Sequence, residues 1–339
     1  MYKYKKILVT GGAGCIGIQV CNQLAKAGQK VVLFDLYEQI NTVKNFLDKR
    51  VEVFFGSILD VSSIREAIRG CDGVIHLAAY LGVRRTELNK IRCLEINIDG
   101  TKNVLNACSL HSVKKIIFAS SSEVYGEPLL NPVTEQEITK GKTIYAISKL
   151  TGEELMKAYH DEFKIKFTIL RFFNTYGPHQ ISQFVIPKFI KMVTENKAPV
   201  IYGNGTQERS FNFSADSAKA TIKCLFSKKT DSKILNIGNS KELINLKDLA
   251  NLVIKICGKS KKLKPILRGN FKNSDRKKDR EINKRFCSTE LAKKLINYKP
   301  STKLEEGLKE VLRDGISNNT WATSEKGYFI DDYLNDKSK

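Results

Sequence analysis

The sequence predicts an α/β fold, a doubly wound parallel sheet (Rossmann) with a smaller mixed α/β lobe behind it. Three observations carry this prediction. Short, continuous apolar runs alternate with helical patterns through the first half of the chain. A glycine-rich turn, Gly11-Gly12-Ala13-Gly14-Cys15-Ile16-Gly17, follows the first of those runs. After about Asn174 the alternation loosens and basic residues accumulate.

Taken in order, strands are expected at residues 6–10, 31–34, 51–55, 73–77, 115–119 and 167–171. Helices are expected at 17–27, closed by Gly28, and at 61–68, 94–109 and 145–160. Strands apolar along their whole length belong to a parallel sheet covered on both faces. In the second half, helices are expected at 187–195, 214–226, 246–257 and 304–312, with strands at 199–202 and 233–237. The expected division is 1–173 for the nucleotide-binding unit and 174–339 for the second lobe, with about 211–240 packing back on the first unit. The tail from Ser317 is polar and is expected at the surface.

The chain has 339 residues, 42% of them hydrophobic, enough for two closely packed units. Its eight cysteines form no C-x-x-C pair and no zinc spacing, so no metal is expected, and the pattern suits a reducing cytoplasm. The apolar run after the basic start is too short for a signal segment, and no stretch approaches a membrane span. The formal charge is +21, from 57 basic and 36 acidic side chains. Residues 255–285 hold thirteen Lys/Arg against three Asp/Glu, with Phe271 the single aromatic. No nucleic-acid signature accompanies the run, so it reads as a solvated lysine surface with one or two arginines set to face a phosphate. Neither a nucleic-acid partner nor a membrane is expected.

Three motifs carry chemistry. Gly11, Gly14 and Gly17 have the G-x-x-G-x-x-G spacing between a strand and a helix. Glycine permits the tight turn and close approach to a pyrophosphate, which the helix N-terminus favours. Asp35 ends the next strand, where a carboxylate accepts from both ribose hydroxyls and repels a 2′-phosphate, so NAD is expected over NADP. Tyr145 and Lys149 stand at i and i+4, on one helix face. A tyrosine of pKa ~10 becomes a base near neutrality when cations stabilise its phenolate, and a shift of ~3 units corresponds to about 4 kcal/mol. Ala119-Ser120-Ser121-Ser122-Glu123-Val124-Tyr125-Gly126 follows the fifth strand, at the sheet end where ligands bind. A serine there can orient a reacting hydroxyl toward Tyr145.

Together these motifs resemble the extended short-chain dehydrogenase/reductase family, specifically the NAD-dependent nucleotide-sugar epimerases and dehydratases, and most closely the UDP-glucose 4-epimerase type. Further matching segments are His76-Leu77-Ala78-Ala79, Asn97 to Asn103, Arg171 to Pro178, Ile201 to Gly205 and Gln207 to Phe211. The resemblance implies that Ser121, Tyr145 and Lys149 are catalytic. It implies that Gly11, Gly14, Cys15, Ile16, Gly17, Asp35, Ser57, Ile58, Leu77, Ala78, Ala79, Asn97 and Phe172 hold NAD with Tyr145 and Lys149. It assigns a nucleotide-diphosphate sugar to Arg84, Ser122, Glu123, Asn174, Pro187, Tyr202, Arg209 and Arg280, with Arg280 preferred over Arg276 and Arg285. A homodimer through helices near 94–109 and 145–160 is also implied. Ser57 stands where relatives often carry Asp, and accepts a hydrogen bond more weakly.

The implied first step is oxidation at C4 of the sugar, with Tyr145 taking the hydroxyl proton. Dehydratases of the family carry T-D-E-V-Y-G. This chain has Ser122 in place of that Asp, a poor proton donor, so epimerisation at C4 is favoured over dehydration. UDP-glucuronate decarboxylases keep Ser-Glu here, so decarboxylation stays open, as does a plain 4-dehydrogenase. A binding module that keeps NAD and uses its basic surface for RNA is the non-enzyme alternative.

Overall fold

The computed structural model describes residues 1–269 and 282–318. The chain builds its main sheet from β1 (Ile7–Thr10), β2 (Val31–Asp35), β3 (Glu52–Phe55), β4 (Gly73–His76), β5 (Lys115–Ser121) and β6 (Lys166–Phe172). The interleaved helices are α1 (Cys15–Lys26), α2 (Tyr37–Val43), α3 (Val61–Ala67), α4 (Val83–Leu88), α5 (Lys90–Leu94), α6 (Gly100–Leu110) and α7 (Ile144–Phe163). Then come β7 (Thr175–Tyr176), α8 (Val185–Thr194), β8 (Val200–Tyr202), β9 (Glu208–Ser210), β10 (Asn212–Phe213), α9 (Ser214–Phe226) and β11 (Lys233–Ile237). The last described elements are β12 (Leu243–Asn245), α10 (Leu246–Ile256), β13 (Ile266–Arg268), β14 (Lys284–Arg285), α11 (Glu290–Ile296) and α12 (Leu304–Asn318).

The seven-stranded sheet has the order β11-β6-β5-β4-β1-β2-β3, and every pairing in it is parallel. The order reverses between β1 and β4. A crevice opens at such a switch point, outside the carboxyl ends of the strands. The alternating pattern gives this architecture because β1, β2, β4, β5 and β6 are buried almost throughout. One apolar core, around Val9, Ile18, Leu33 and Leu225, fills one face of the sheet. A second, around Leu8, Phe34, Val104 and Phe118, fills the other. A third core joins α8, α10 and α12 in the second lobe through Phe189, Val253 and Leu308.

Local caps set the helix starts. Asp60 accepts from the Ser62 and Ser63 amides ahead of α3, Thr143 from Ala146 ahead of α7, and Asn245 from Asp248 ahead of α10. Two departures from the sequence pattern stand out. β3 is a sheet edge, paired to β2 alone among the described strands, and its residues are largely exposed. The helix expected from 94 begins at Lys90 and passes through a π-helical turn, Glu95–Asp99, between α5 and α6. A π turn shifts the side-chain phase, so an apolar stripe read at a 3.6-residue period does not report it.

Candidate active site

The carboxyl ends of β1, β2, β4, β5 and β6 border one cavity of about 490 Å³. The glycine turn forms its floor. Gly11 has φ +68, and a Cβ there would stand 2.5 Å from the Ala78 amide nitrogen. A Cβ on Gly17 would strike the Gly11 carbonyl oxygen. The turn is therefore a cradle kept open by missing side chains, with the N-terminus of α1 behind it. Cys15 and Ile16 line the same wall, and burial pushes the Cys15 thiol up to about 12, which keeps it protonated.

Asp35 closes β2 at the cavity rim. Its carboxylate accepts from the Ala13 amide at 3.0 Å and the Leu36 amide at 2.9 Å. Burial pushes its pKa up to about 6, although both amides pull it down. Ser57, Ile58, Leu77, Ala78, Ala79, Phe172 and Asn174 also border the cavity. The Asn174 amide donates to Ser210 O at 3.1 Å from a left-handed backbone, φ 35.

Tyr145 and Lys149 enter from the first turns of α7. Lys149 is 3% exposed, donates to the Ala119 carbonyl at 2.8 Å, and sits 5.8 Å from the Tyr145 ring centroid. Burial lowers its pKa to about 8, so the ammonium persists at neutral pH. Ser121 ends β5 beside them. Its Oγ accepts the Glu123 amide at 3.2 Å, which leaves the hydroxyl proton available to donate. Ser122 and Glu123 line the wall, and Glu123 bridges Arg285 at 2.7 Å.

A buried network fixes this wall. Arg171 grips Glu153 at 2.9 and 2.7 Å and donates to the Tyr125 hydroxyl at 2.9 Å. Tyr125 in turn donates to Asn236 of the next strand at 2.8 Å, and Ser120 donates to Glu153. The turn carrying Ser121 is thus tied to β6, β11 and α7.

Several residues expected at the site stand elsewhere than in this lining. Asn97 does not line the cavity. It is buried behind it, accepting from Tyr80 N at 2.7 Å and donating to Tyr80 O at 3.0 Å and Ser148 Oγ at 2.9 Å. It joins the strand-end loop to α7. Arg84 is exposed and lies outside the lining. Its neighbour Arg85 is 6% exposed, lines the cavity and stacks 3.7 Å over the Tyr80 ring. Consecutive residues on a helix turn to different sides, so the one-residue choice decides which arginine faces in. Pro187 is buried on the apolar face of α8, within the second lobe. Phe184, Ile181 and His179, just before α8, border the cavity instead.

Tyr202 lies on β8, which pairs with β13 in a separate two-stranded sheet, and is absent from the lining. Arg209 is not in the lining either. Its guanidinium donates to the carbonyls of Glu208 at 2.8 Å, Asn283 at 3.1 Å and Ile282 at 2.5 Å, which need donors where the chain enters β14. Arg280 lies outside the described residues. Arg285, its rejected competitor, borders the cavity at 2% exposure and also donates to Gly126 O at 3.2 Å.

Comparison with known proteins decides the family. Residues 7–238 match the model of the NAD dependent epimerase/dehydratase family. The chain belongs to that family. It is 34% identical, over 91% of its length and 97% of the relative's, to a UDP-N-acetyl-alpha-D-glucosaminuronate decarboxylase of Bacillus cytotoxicus. It is 31% identical, over 90% of its length and 94% of the relative's, to a UDP-glucuronate 4-epimerase of Thermodesulfobacterium geofontis. Among solved structures, UDP-glucose 4-epimerase of Thermotoga maritima with UDP-glucose matches with TM-score 0.83 and 27% identity, over 93% and 99% of the two chains. UDP-glucuronic acid 4-epimerase of Bacillus cereus, with UDP-glucuronic acid and NAD, matches with TM-score 0.81 and 31% identity, over 91% and 98%.

For this epimerase/dehydratase family member NAD is the cofactor, and the residues present fit it. The open glycine cradle suits a pyrophosphate, and the Asp35 carboxylate suits ribose hydroxyls. The loop before α8 adds a wall that sequence reasoning missed. There His179 packs 4.6 Å from the Phe46 ring, and its amide donates to Asp314 at 3.0 Å. Its φ of 62 is a tertiary outcome with no sequence signal beyond the neighbouring Gly177-Pro178.

Proposed function

We propose that the chain is a nucleotide-sugar epimerase that inverts C4 through a transient 4-keto sugar. The observation that carries this reading is the convergence of Ser121, Tyr145 and Lys149 on the cavity that also holds the glycine cradle and Asp35. NAD, held by the glycine cradle and Asp35, would supply the hydride acceptor and donor for C4. The chain's residues supply the rest. Ser121 donates to the C4 oxygen and orients it. Tyr145 takes the hydroxyl proton, and the Lys149 ammonium stabilises the phenolate from one helical turn away. On return of the hydride to the opposite face, Tyr145 gives the proton back. Asn174 is assigned to the diphosphate, and Ser122 and Glu123 to the sugar. A cytoplasmic location and a homodimer complete the reading. The eight cysteines are all free, and Leu88 and Ile91 near the proposed dimer helices are 71% and 74% exposed.

Incubation with a panel of UDP-, GDP- and dTDP-sugars, followed by mass spectrometry, tests the reaction. An isobaric product with altered retention is expected. Loss of water or CO2 from every accepted sugar would overturn epimerisation.

One observation favours a second reading, decarboxylation of a nucleotide-linked uronate. Glu123 and Arg285 form a largely buried ion pair beside the catalytic residues, and the relative at 34% identity is a decarboxylase. In a 4-keto uronate the C5–C6 bond breaks, CO2 leaves, and the electron pair moves into the C4 enolate. C5 must then gain a proton, which this reading assigns to delivery from the Glu123 side of the cavity. Loss of CO2 from UDP-glucuronate separates this reading from the first.

A further inference from the structure

Outside the active-site cavity, the second lobe carries a groove of about 540 Å³ between α10 and the segment leading into β13. Its sides are Lys247 and Lys255 from the helix and Lys264 from the segment. Ile254, Leu263 and Leu267 supply the apolar part. The flanking sequence 255–268 contains Lys255, Lys259, Lys261, Lys262, Lys264 and Arg268, with no Asp or Glu. Lys261, Lys262, Lys264 and Arg268 are exposed. Ile266 and Leu267 are 48% and 47% exposed in the same strand. Lys255 has Glu305 in range, but that carboxylate is already bridged by Lys309 at 2.7 Å.

Lysines alone would read as a solvated face, which is how the sequence reads. The structure adds one exposed aliphatic side chain among the cations, Leu267 on the groove side of β13, with the apolar groove beside it; Ile266 points to the other face of the strand. This combination is uneconomic in water. It fits a surface that offers both negative charge and hydrocarbon. A nucleic acid would supply the charge but would leave Leu267 without an apolar partner, and 255–268 contains no aromatic ring on which bases could stack.

We infer that this face docks the protein on an anionic phospholipid surface, with the lysines at the headgroups and Leu267 dipping below them. The groove shares no lining residue with the catalytic cavity.

Vesicle co-flotation of the full chain tests this. Vesicles of phosphatidylcholine with 30% phosphatidylglycerol are compared with phosphatidylcholine alone at low and high salt. Binding to the anionic vesicles is expected, and it should weaken steeply with salt. The triple variant Lys261→Glu, Lys262→Glu, Lys264→Glu should bind at least about 100-fold more weakly. Leu267→Ser should weaken binding several-fold with its salt dependence unchanged. Both variants should keep wild-type thermal melting and turnover, because none of these residues borders the active-site cavity. Equal binding to neutral vesicles, or no binding at low salt, would overturn the inference. So would single-stranded RNA that outcompetes the vesicles and binds the Leu267→Ser variant as tightly as the wild type.

Discussion

The Lys149 ammonium donates to the Ala119 carbonyl at 2.8 Å while standing 5.8 Å from the Tyr145 ring centroid. The backbone of β5 thus aims a buried cation at the phenol, and burial lowers its pKa to about 8. Activity that depends on the charged ammonium must fall as pH rises through 8. A pH profile of kcat/KM should show that alkaline limb. Lys149→Arg should move it upward, because guanidinium keeps its proton, and Lys149→Met should lower kcat by about 100-fold or more. An unchanged limb in Lys149→Arg would assign it to another group.

Asp35 makes a prediction at the acid side. Without cofactor its pKa lies at about 6, raised by burial. Ribose hydroxyls donate to the ionised carboxylate, so NAD binding favours loss of the proton. Affinity should therefore rise with pH through about 6 and level off above it, with proton release on binding below that point. Calorimetry in buffers of different ionisation enthalpy measures that release. Asp35→Asn should remove the pH dependence and weaken NAD by roughly 10- to 100-fold, as expected for lost charged hydrogen bonds.

The Arg171–Glu153 pair predicts a stability effect. Both side chains are nearly inaccessible, at 5% and 2%. Glu153→Ala leaves the guanidinium buried without its carboxylate and should cost about 3–5 kcal/mol. Thermal melting reads this directly. Loss of activity should follow, because Ser120 and Tyr125 of the catalytic turn share the same network.

The main sheet was legible because its strands are apolar end to end, a pattern that only burial on both faces explains. The cofactor cradle was legible because glycine spacing states a steric requirement. The substrate side of the cavity was less so. Arg84 and Arg85 differ by one helical step, and sequence does not set the phase of a six-residue helix after a glycine with φ 107. Arg209 was given to a diphosphate, yet three backbone carbonyls claim its guanidinium. Two of them, from Ile282 and Asn283, meet it because β14 pairs with β9, a contact between positions 76 residues apart in Arg209 and Arg285. Asn97 shows the opposite case. The motif was visible, but its work is to hold Tyr80 and Ser148 together behind the wall.

In the proposed reaction Tyr145 carries the proton of the C4 hydroxyl. The most direct measurement is single-turnover formation of reduced cofactor, followed by its absorbance, in wild type and Tyr145→Phe with an accepted sugar nucleotide. The expected rate is at least about 100-fold lower in the variant, with substrate affinity nearly unchanged. A variant that reduces its cofactor as fast as the wild type would contradict it.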